Sequence, residues 1–427
     1  MKWNWELPDW PQFTYDPDRI SQLERQFLLS VGSACAYLKT IDTQEYTRFI
    51  VEILSDEGVE SSKIEGEFLD RESLQSSIKQ HFGLPTTVER RTDKESRMAQ
   101  LLCSVYESFD KPLTHEMLWQ WHSMLFNDST SIDDRGKYRT HTEPMQIVSH
   151  RYGAPRIFFE APPSSRVFQE MEGFVDWFNL ETAVGPRQKV QDFESESLTI
   201  GVEHSQKVKA TPRVSDYGSK DCAFCPDPTA VSRFNSTNGS GSILGRAAIA
   251  HVYFESIHPF EDGNGRIGRI VAEKILSQGI GRPILTAVSK LLEKRKKEYY
   301  IALEHCNRTL EVDKWVEFFA NVVVQALEES MSLLSFLIEK SKMLTFLSEQ
   351  ISPRQMKALL RMFAQGPSGF AGGMSAEKYI AITKASRATA TRDLTDLVEK
   401  GALVKSGELR HTRYRLNLNF HIGLKSP

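Results

Sequence analysis

The stretch from Ile243 to Arg269 constrains this chain more than any other. Ile243, Leu244, Ala247, Ala248, His251, Phe254, Ile257 and His258 recur at helical intervals. They lead straight into HPFEDGNGRIGR, residues 258–269, where Gly263, Gly265 and Gly268 stand in the spacing G-x-G-x-x-G. In a dinucleotide-binding fold that spacing follows a parallel strand and opens a crossover helix. Here the preceding segment is helical, and no strand–helix–strand alternation surrounds it. The glycine turn must instead join two helices, and the expected fold class is mainly α. A P-loop is excluded as well, because G-x-x-x-x-G-K-[ST] occurs nowhere in the chain.

A metal centre is the next reading to weigh. His251, Glu255 and His258 share a helix face, and Glu255-x-x-His258 is half of a di-iron carboxylate motif. The other E-x-x-H, Glu408 to His411, falls outside any helical stretch. His251 is then expected to be a packed core histidine. The remaining pattern fits a phosphate site. Pro259 stops the first helix, and Asp262-Gly263-Asn264-Gly265 can turn its amides inward before a helix expected from Arg266. Amides at a helix N-terminus bind anions, and the glycines let oxygens approach the backbone. Arg266 and Arg269, three apart, can clasp further phosphate oxygens. Asp262 offers the hard oxygen that Mg²⁺ prefers beside a polyphosphate. His258 is the natural base for an attacking hydroxyl, with Phe260 as an apolar peg for the loop.

At these residues the chain resembles the Fic family, whose core motif is H-P-F-x-[DE]-G-N-G-R-x-x-R. Every specified position matches between His258 and Arg269. The resemblance implies a Fic-type helical bundle with a small β-hairpin flap, spanning residues 91–340 apart from an insertion. It implies His258 as general base and Asp262 as the Mg²⁺ ligand. Gly263, Asn264, Gly265, Arg266 and Arg269 would hold the phosphates of ATP. The segment EYYIALEHCN is similar to the family's adenosine side, which implies nucleoside contacts at Tyr300 and Asn307. The implied reaction moves AMP from ATP to a Ser, Thr or Tyr hydroxyl of a target protein, itself included, and releases pyrophosphate. Gly265 stands where Doc-like kinases of the family carry Lys, which favours AMP transfer. Transfer of another phosphate-containing group, and removal of AMP, stay open.

Upstream, SSKIEGE carries Ser61-x-x-x-Glu65-Gly66, which resembles the family's autoinhibitory motif [ST]-x-x-x-E-[GN]. The resemblance implies competition, because Arg269 pairs fully with Glu65 or with the γ-phosphate, not with both. The segment belongs to an N-terminal helical region, residues 1–90, whose opening is rich in tryptophan. Between the two motifs, QIVSHRYGAPRIFFEAPP has strand-like runs at Ile147–His150 and Arg156–Glu160 around Tyr152-Gly153. That is the expected flap, which would align a target chain by strand addition.

Residues 181–242 break the helical rhythm, with 14 Ser/Thr and a STNGSGS end, and are expected to be a flexible insertion. Cys222-x-x-Cys225 within it, with His204, is an incomplete zinc pattern. The chain's end differs in charge. From Ser352 onward there are 13 Lys/Arg against 5 Asp/Glu, although the whole chain carries −3. Three short helical runs and two strand-like arms over 345–427 resemble a winged helix-turn-helix, so this region is a candidate DNA-binding domain. Arg387, Thr389 and Arg392 would meet DNA, with Arg410 and Arg413 on the wing. A DNA-binding regulator with a Fic sensor body is thus a further alternative.

Five scattered cysteines argue against a disulfide framework. The opening MKWNWELPDWPQF lacks a signal-peptide pattern, and no apolar run approaches the length of a membrane span. The expectation is a cytoplasmic protein without membrane association, with a homodimer open.

Overall fold

The computed structural model describes residues 2–39, 41–86, 93–126, 132–148, 157–182, 242–367, 369–370 and 372–418. The architecture is mainly α, as expected. Contacts divide the chain into two compact units, residues 1–33 with 50–327, and residues 34–49 with 328–427.

Helices run in the order α1 (Ser21–Leu38), α2 (Thr43–Ile64), α3 (Arg71–His81), α4 (Asp93–Glu107) and α5 (His115–Phe126). Strands β1 (Gln146–Val148) and β2 (Ile157–Glu160) follow, then α6 (Ser164–Thr182), α7 (Ile243–Ile257), α8 (Asn264–Ile280), α9 (Val288–Lys294), α10 (Lys296–Cys306) and α11 (Asp313–Leu347). At the heart of the first unit α7 packs along α8. The sequence explains why: Ala247, Ala248 and Ala250 are fully buried, and the helix has no polar face to turn to water. Its N-terminus is closed twice. Ser242 Oγ accepts from Gly245 N–H at 3.0 Å, and the Glu24 carboxylate of α1 accepts from Ile243 and Leu244 N–H at 3.0 and 3.1 Å. Trp315 of α11 donates its indole N–H to Ala248 O at 2.8 Å.

The expected flap is an antiparallel hairpin, with Gln146 opposite Glu160 and Ile147 opposite Phe159. Its turn lies outside the described residues. The tryptophan-rich opening docks beside it. Trp3 meets Phe159 edge-on at 5.5 Å, and Trp5 donates to Glu160 O at 2.7 Å. Asn4, fully buried between them, donates to Ser256 Oγ at 2.8 Å and Cys306 O at 3.1 Å.

One boundary differs from expectation. The helix after the glycine turn starts at Asn264 rather than Arg266, because Gly263 adopts φ +79° and ends the turn there. The expected 181–242 insertion, with His204, Cys222 and Cys225, lies outside the described residues except at its edges. A third point concerns α11, which is long and apolar enough by composition to cross a membrane. Half of that stretch is buried within the protein, and Trp315, Val316, Phe319 and Val323 are core residues of the first unit. The reading that no run reaches such a length is corrected accordingly.

In the second unit α12 (Pro353–Phe363), α13 (Ala376–Thr383) and α14 (Arg387–Glu399) precede strands β3 (Leu403–Ser406) and β4 (Arg413–Leu416). Ser352, Ser375 and Ser386 cap the three helices through their hydroxyls. Gly401, at φ +75°, follows the last one in the position expected of a helix-ending glycine. Met343, Leu347, Leu359, Tyr379, Leu394 and Leu397 form its core.

Candidate functional site

The site begins where α7 ends. His258 adopts a left-handed backbone, φ 51° and ψ 59°, while its N–H still donates to Phe254 O at 3.0 Å. Such a conformation is costly for a residue with a Cβ and persists where the surroundings impose it. Pro259 then prevents the helix from continuing. Phe260 is completely buried and stacks on His122 of α5, 4.2 Å between ring centres; it is the expected peg. Gly263 has no room for a side chain, since a Cβ there would approach the Phe126 ring to 2.6 Å.

The Asn264 side chain faces its own loop. Its side-chain amide donates to Phe260 O at 2.8 Å, and its oxygen accepts from Phe260 N–H at 2.9 Å. It closes the loop on itself rather than reaching outward. His122 braces the same turn: Gly136 N–H donates to its Nδ1 at 3.0 Å, so Nε2 carries the proton, donated to Asp262 O at 3.2 Å. Burial pushes this imidazole down to about 4, which keeps that tautomer neutral. The result is a rigid turn whose following helix points its first amides, which lack helical partners, into the loop.

The His258 ring is held neutral. Burial and then the nearby Arg139 guanidinium push it down to about 4, so the ring is neutral at pH 7. Nδ1 faces the Glu255 carbonyl at 3.4 Å, an acceptor only, so the proton resides there and Nε2 presents a lone pair. Beside it the Glu255 carboxyl, 3.7 Å from Nδ1, is pushed up to about 8 by burial and by Glu65.

Both motif arginines are buried and both are occupied. Nη1 of Arg269 pairs with Glu65 Oε1 at 2.7 Å, while Nε and Nη2 donate to Ser61 Oγ at 3.0 Å and Ser61 O at 2.9 Å. Burial opposes the charge on Arg269, yet Glu65 and Tyr299 hold it above the ordinary arginine range. Arg266, stacked over Phe126, pairs with Glu67 Oε2 at 2.6 Å. The two acids flank Gly66, whose φ of +83° turns the chain at the end of α2. That end is itself held: Lys296 Nζ and Tyr300 Oη donate to Ile64 O, the latter at 3.4 Å.

Sequence-predicted residues thus divide. His258, Asp262, Gly263, Gly265, Arg266, Arg269, Ser61, Glu65 and Gly66 come together around one turn. Tyr300 borders it through Ile64. Asn307 caps the C-terminus of α10, donating to Phe158 O of the flap at 3.0 Å. Arg387 and Arg392 are exposed on α14 of the second unit, and Thr389 N–H closes that helix's cap on Ser386 at 3.2 Å. His251 is a core histidine as expected, bonded to Tyr299 Oη at 3.0 Å. Glu67, His122 and Arg139 went unread in the sequence. Glu67 lies two residues beyond the recognised motif, and nothing in the spacing of the other two points to residue 258.

Mg²⁺ can be tested against the donor set. The Asp262 side chain is 62% exposed, and its nearest cation, Arg266, stands 3.8 Å away. A carboxylate so placed fits a hard cation shared with phosphates and water. Among the described residues no group of three or more His, Cys, Asp or Glu could hold a metal ion by itself.

Comparison with known proteins adds the following. Residues 199–276 match the model of the Fic/DOC family, and residues 3–84 match a domain of unknown function, DUF4172. Among solved structures, the chain is similar to a Fic family protein from Desulfovibrio desulfuricans G20, with TM-score 0.48 and 20% identity over 95% of this chain and 98% of that one. It is similar to a Fic domain containing signaling protein from Bacteroides thetaiotaomicron VPI-5482, with TM-score 0.44 and 18% identity over 75% and 96%. It is also similar to Fic-1 from C. elegans, with TM-score 0.43 and 16% identity over 74% of each chain.

Proposed function

We propose that this protein is an adenylyltransferase that moves AMP from ATP to a Ser, Thr or Tyr hydroxyl of a protein, and that Glu65 restrains it in cis. The observation that carries the reading is the Arg269–Glu65 pair at 2.7 Å. A buried arginine facing an anion-binding turn is a phosphate clamp, and one guanidinium cannot give its fork to two anions at once. A carboxylate on the same chain competes at high effective concentration.

In the released state the hydroxyl proton passes to Nε2 of His258 as the hydroxyl oxygen attacks the α-phosphorus. The bond between the α-phosphorus and the bridging oxygen breaks, and pyrophosphate leaves. Arg266 and Arg269 hold the departing phosphates, and the first amides of α8 stabilise charge in the loop. Asp262 would hold Mg²⁺, which neutralises phosphate charge.

The test uses wild type and Glu65→Gly with ATP labelled at the α- or γ-phosphate, with and without cell lysate. Label transferred from the α position alone supports the reading; label from γ alone makes the protein a kinase and overturns it.

A second role rests on the second unit. Arg387 and Arg392 project from α14, whose other side buries Leu394 and Leu397, and a hairpin follows it. Helix, exposed arginines and hairpin suit a winged helix-turn-helix on DNA.

A further inference from the structure

We infer that Arg139 is a positioning residue for His258, setting the base's left-handed backbone and fixing it in register with the exit of the flap. The inference rests on His258 acting as general base.

Arg139 is 1% exposed and pairs with no carboxylate among the described residues. Such a cation is expensive to bury unless its donors are satisfied. Here they converge on two segments. Nε donates to His258 O at 2.8 Å and Nη2 to Ile257 O at 3.5 Å, the carbonyls at the end of α7. Nη2 also donates to Pro162 O at 2.5 Å and Nη1 to Ser164 Oγ at 2.9 Å, in the stretch leaving β2. The backbone N–H of Arg139 donates to Pro259 O at 2.9 Å. Carbonyls 257, 258 and 259 therefore all accept from one residue. The first two are orphan carbonyls of the α7 C-terminus, where a cation also complements the helix dipole, and the third belongs to the loop that follows. Rotating the His258 peptide out of its left-handed state would strip the guanidinium of its Nε partner. The same planar fork holds the flap exit, so the distance between flap and imidazole is fixed by one rigid group.

The charge matters separately from the geometry. Burial brings Arg139 down only to about 10, so it stays positive at neutral pH. Beside the imidazole it opposes protonation, against the Glu255 carbonyl and the carboxylates of Glu65 and Asp262, which face the ring from α7, the segment just past α2 and the loop; the Glu255 carboxyl, 3.7 Å from Nδ1, keeps its own proton at neutral pH.

The experiment uses full-length protein in the Glu65→Gly background, with Arg139→Gln and Arg139→Lys. Arg139→Gln should lower kcat by about tenfold to a hundredfold with KM for ATP unchanged. It should also move the acid limb of the rate, and the imidazole pKa of His258 read by NMR, to higher pH. The His258 signal is assigned by its loss in His258→Ala. Arg139→Lys keeps the charge and loses the fork, so kcat falls while the His258 pKa holds. A merely structural arginine would lower stability without separating these two readouts. The inference is overturned if the His258 titration is the same in Arg139→Gln, or if the loss appears in KM for ATP alone. Should Arg139→Gln not fold, Arg139→Lys with undiminished kcat overturns it. Absence of any transfer in the parent would refute the proposed reaction, while the NMR titration would still decide the coupling of Arg139 to His258.

Discussion

The carboxylate of Glu65 lies where a side chain on Gly265 would have to go. A Cβ built on that glycine would stand 2.2 Å from Glu65 Oε1 and 3.1 Å from Nη1 of Arg269. The acid just past the end of α2 and the second loop glycine therefore share the space in which a phosphate would meet the first turn of α8. The restraint proposed for Glu65 would then be steric and electrostatic at once: its carboxylate takes the arginine and the volume beside it.

Glu65→Gly should raise nucleotidyl transfer, self-modification included, by about tenfold or more, the worth of one charge-assisted hydrogen bond. Arg269→Ala should lose activity and stay inactive when combined with Glu65→Gly. Equal initial rates for wild type and Glu65→Gly across ATP concentrations would show that α2 ends in ordinary helix surface.

Glu67 makes the second contact, 2.6 Å from Arg266. Its side chain is 35% exposed, so its hold is weaker than that of Glu65. Glu67→Gln should change little alone and add a few-fold to the Glu65→Gly gain, chiefly as a lower KM for ATP. A double variant no faster than Glu65→Gly would remove Glu67 from the restraint.

His258→Ala should cut transfer by about a hundredfold to ten-thousandfold while ATP still binds, because the base acts on the hydroxyl and not on the nucleotide. Calorimetric titration with ATP alongside the rate assay checks both halves. Transfer at the parent rate would dismiss His258 as the base.

Stability should depend on pH with a sign set by Glu255. Held up to about 8, it keeps a proton in the folded protein that the unfolded chain releases near 4.5. Stability from this group is full below 4.5 and is lost as pH rises toward 8, at up to about 1.4 kcal/mol per pH unit. His122 and His258, held down to about 4, act oppositely: their contribution is full above 6.5 and is lost as pH falls through 4. Melting temperatures followed from pH 6.5 to 8 should fall less steeply in Glu255→Gln than in wild type. Parallel curves would mean that Glu255 ionises normally.

If α14 meets DNA, binding should weaken steeply with salt and drop in Arg387→Ala and Arg392→Ala. Fluorescence anisotropy at low salt with duplex DNA reads this. No binding to any duplex would assign the second unit to protein contacts.

The amino-acid sequence alone determined what is local. Apolar spacing over 243–258, Pro259, and glycines at 263 and 265 specify helix, turn, helix, because backbone conformation and periodicity depend on near neighbours. The flap strands, the three capped helices near the C-terminus and the gathering of His258, Asp262, Arg266 and Arg269 around one turn were legible for the same reason. Tertiary structure decided which charges meet. Glu67 reaches Arg266 across 199 positions, and Arg139 reaches His258 across 119. Asn264 turned inward because Phe260, four residues away, was held for it by His122 on another helix. Such partners carry no periodic signal, since a buried cation or carboxylate is satisfied by whatever the fold brings within about 3 Å of it, not by its neighbours in the chain.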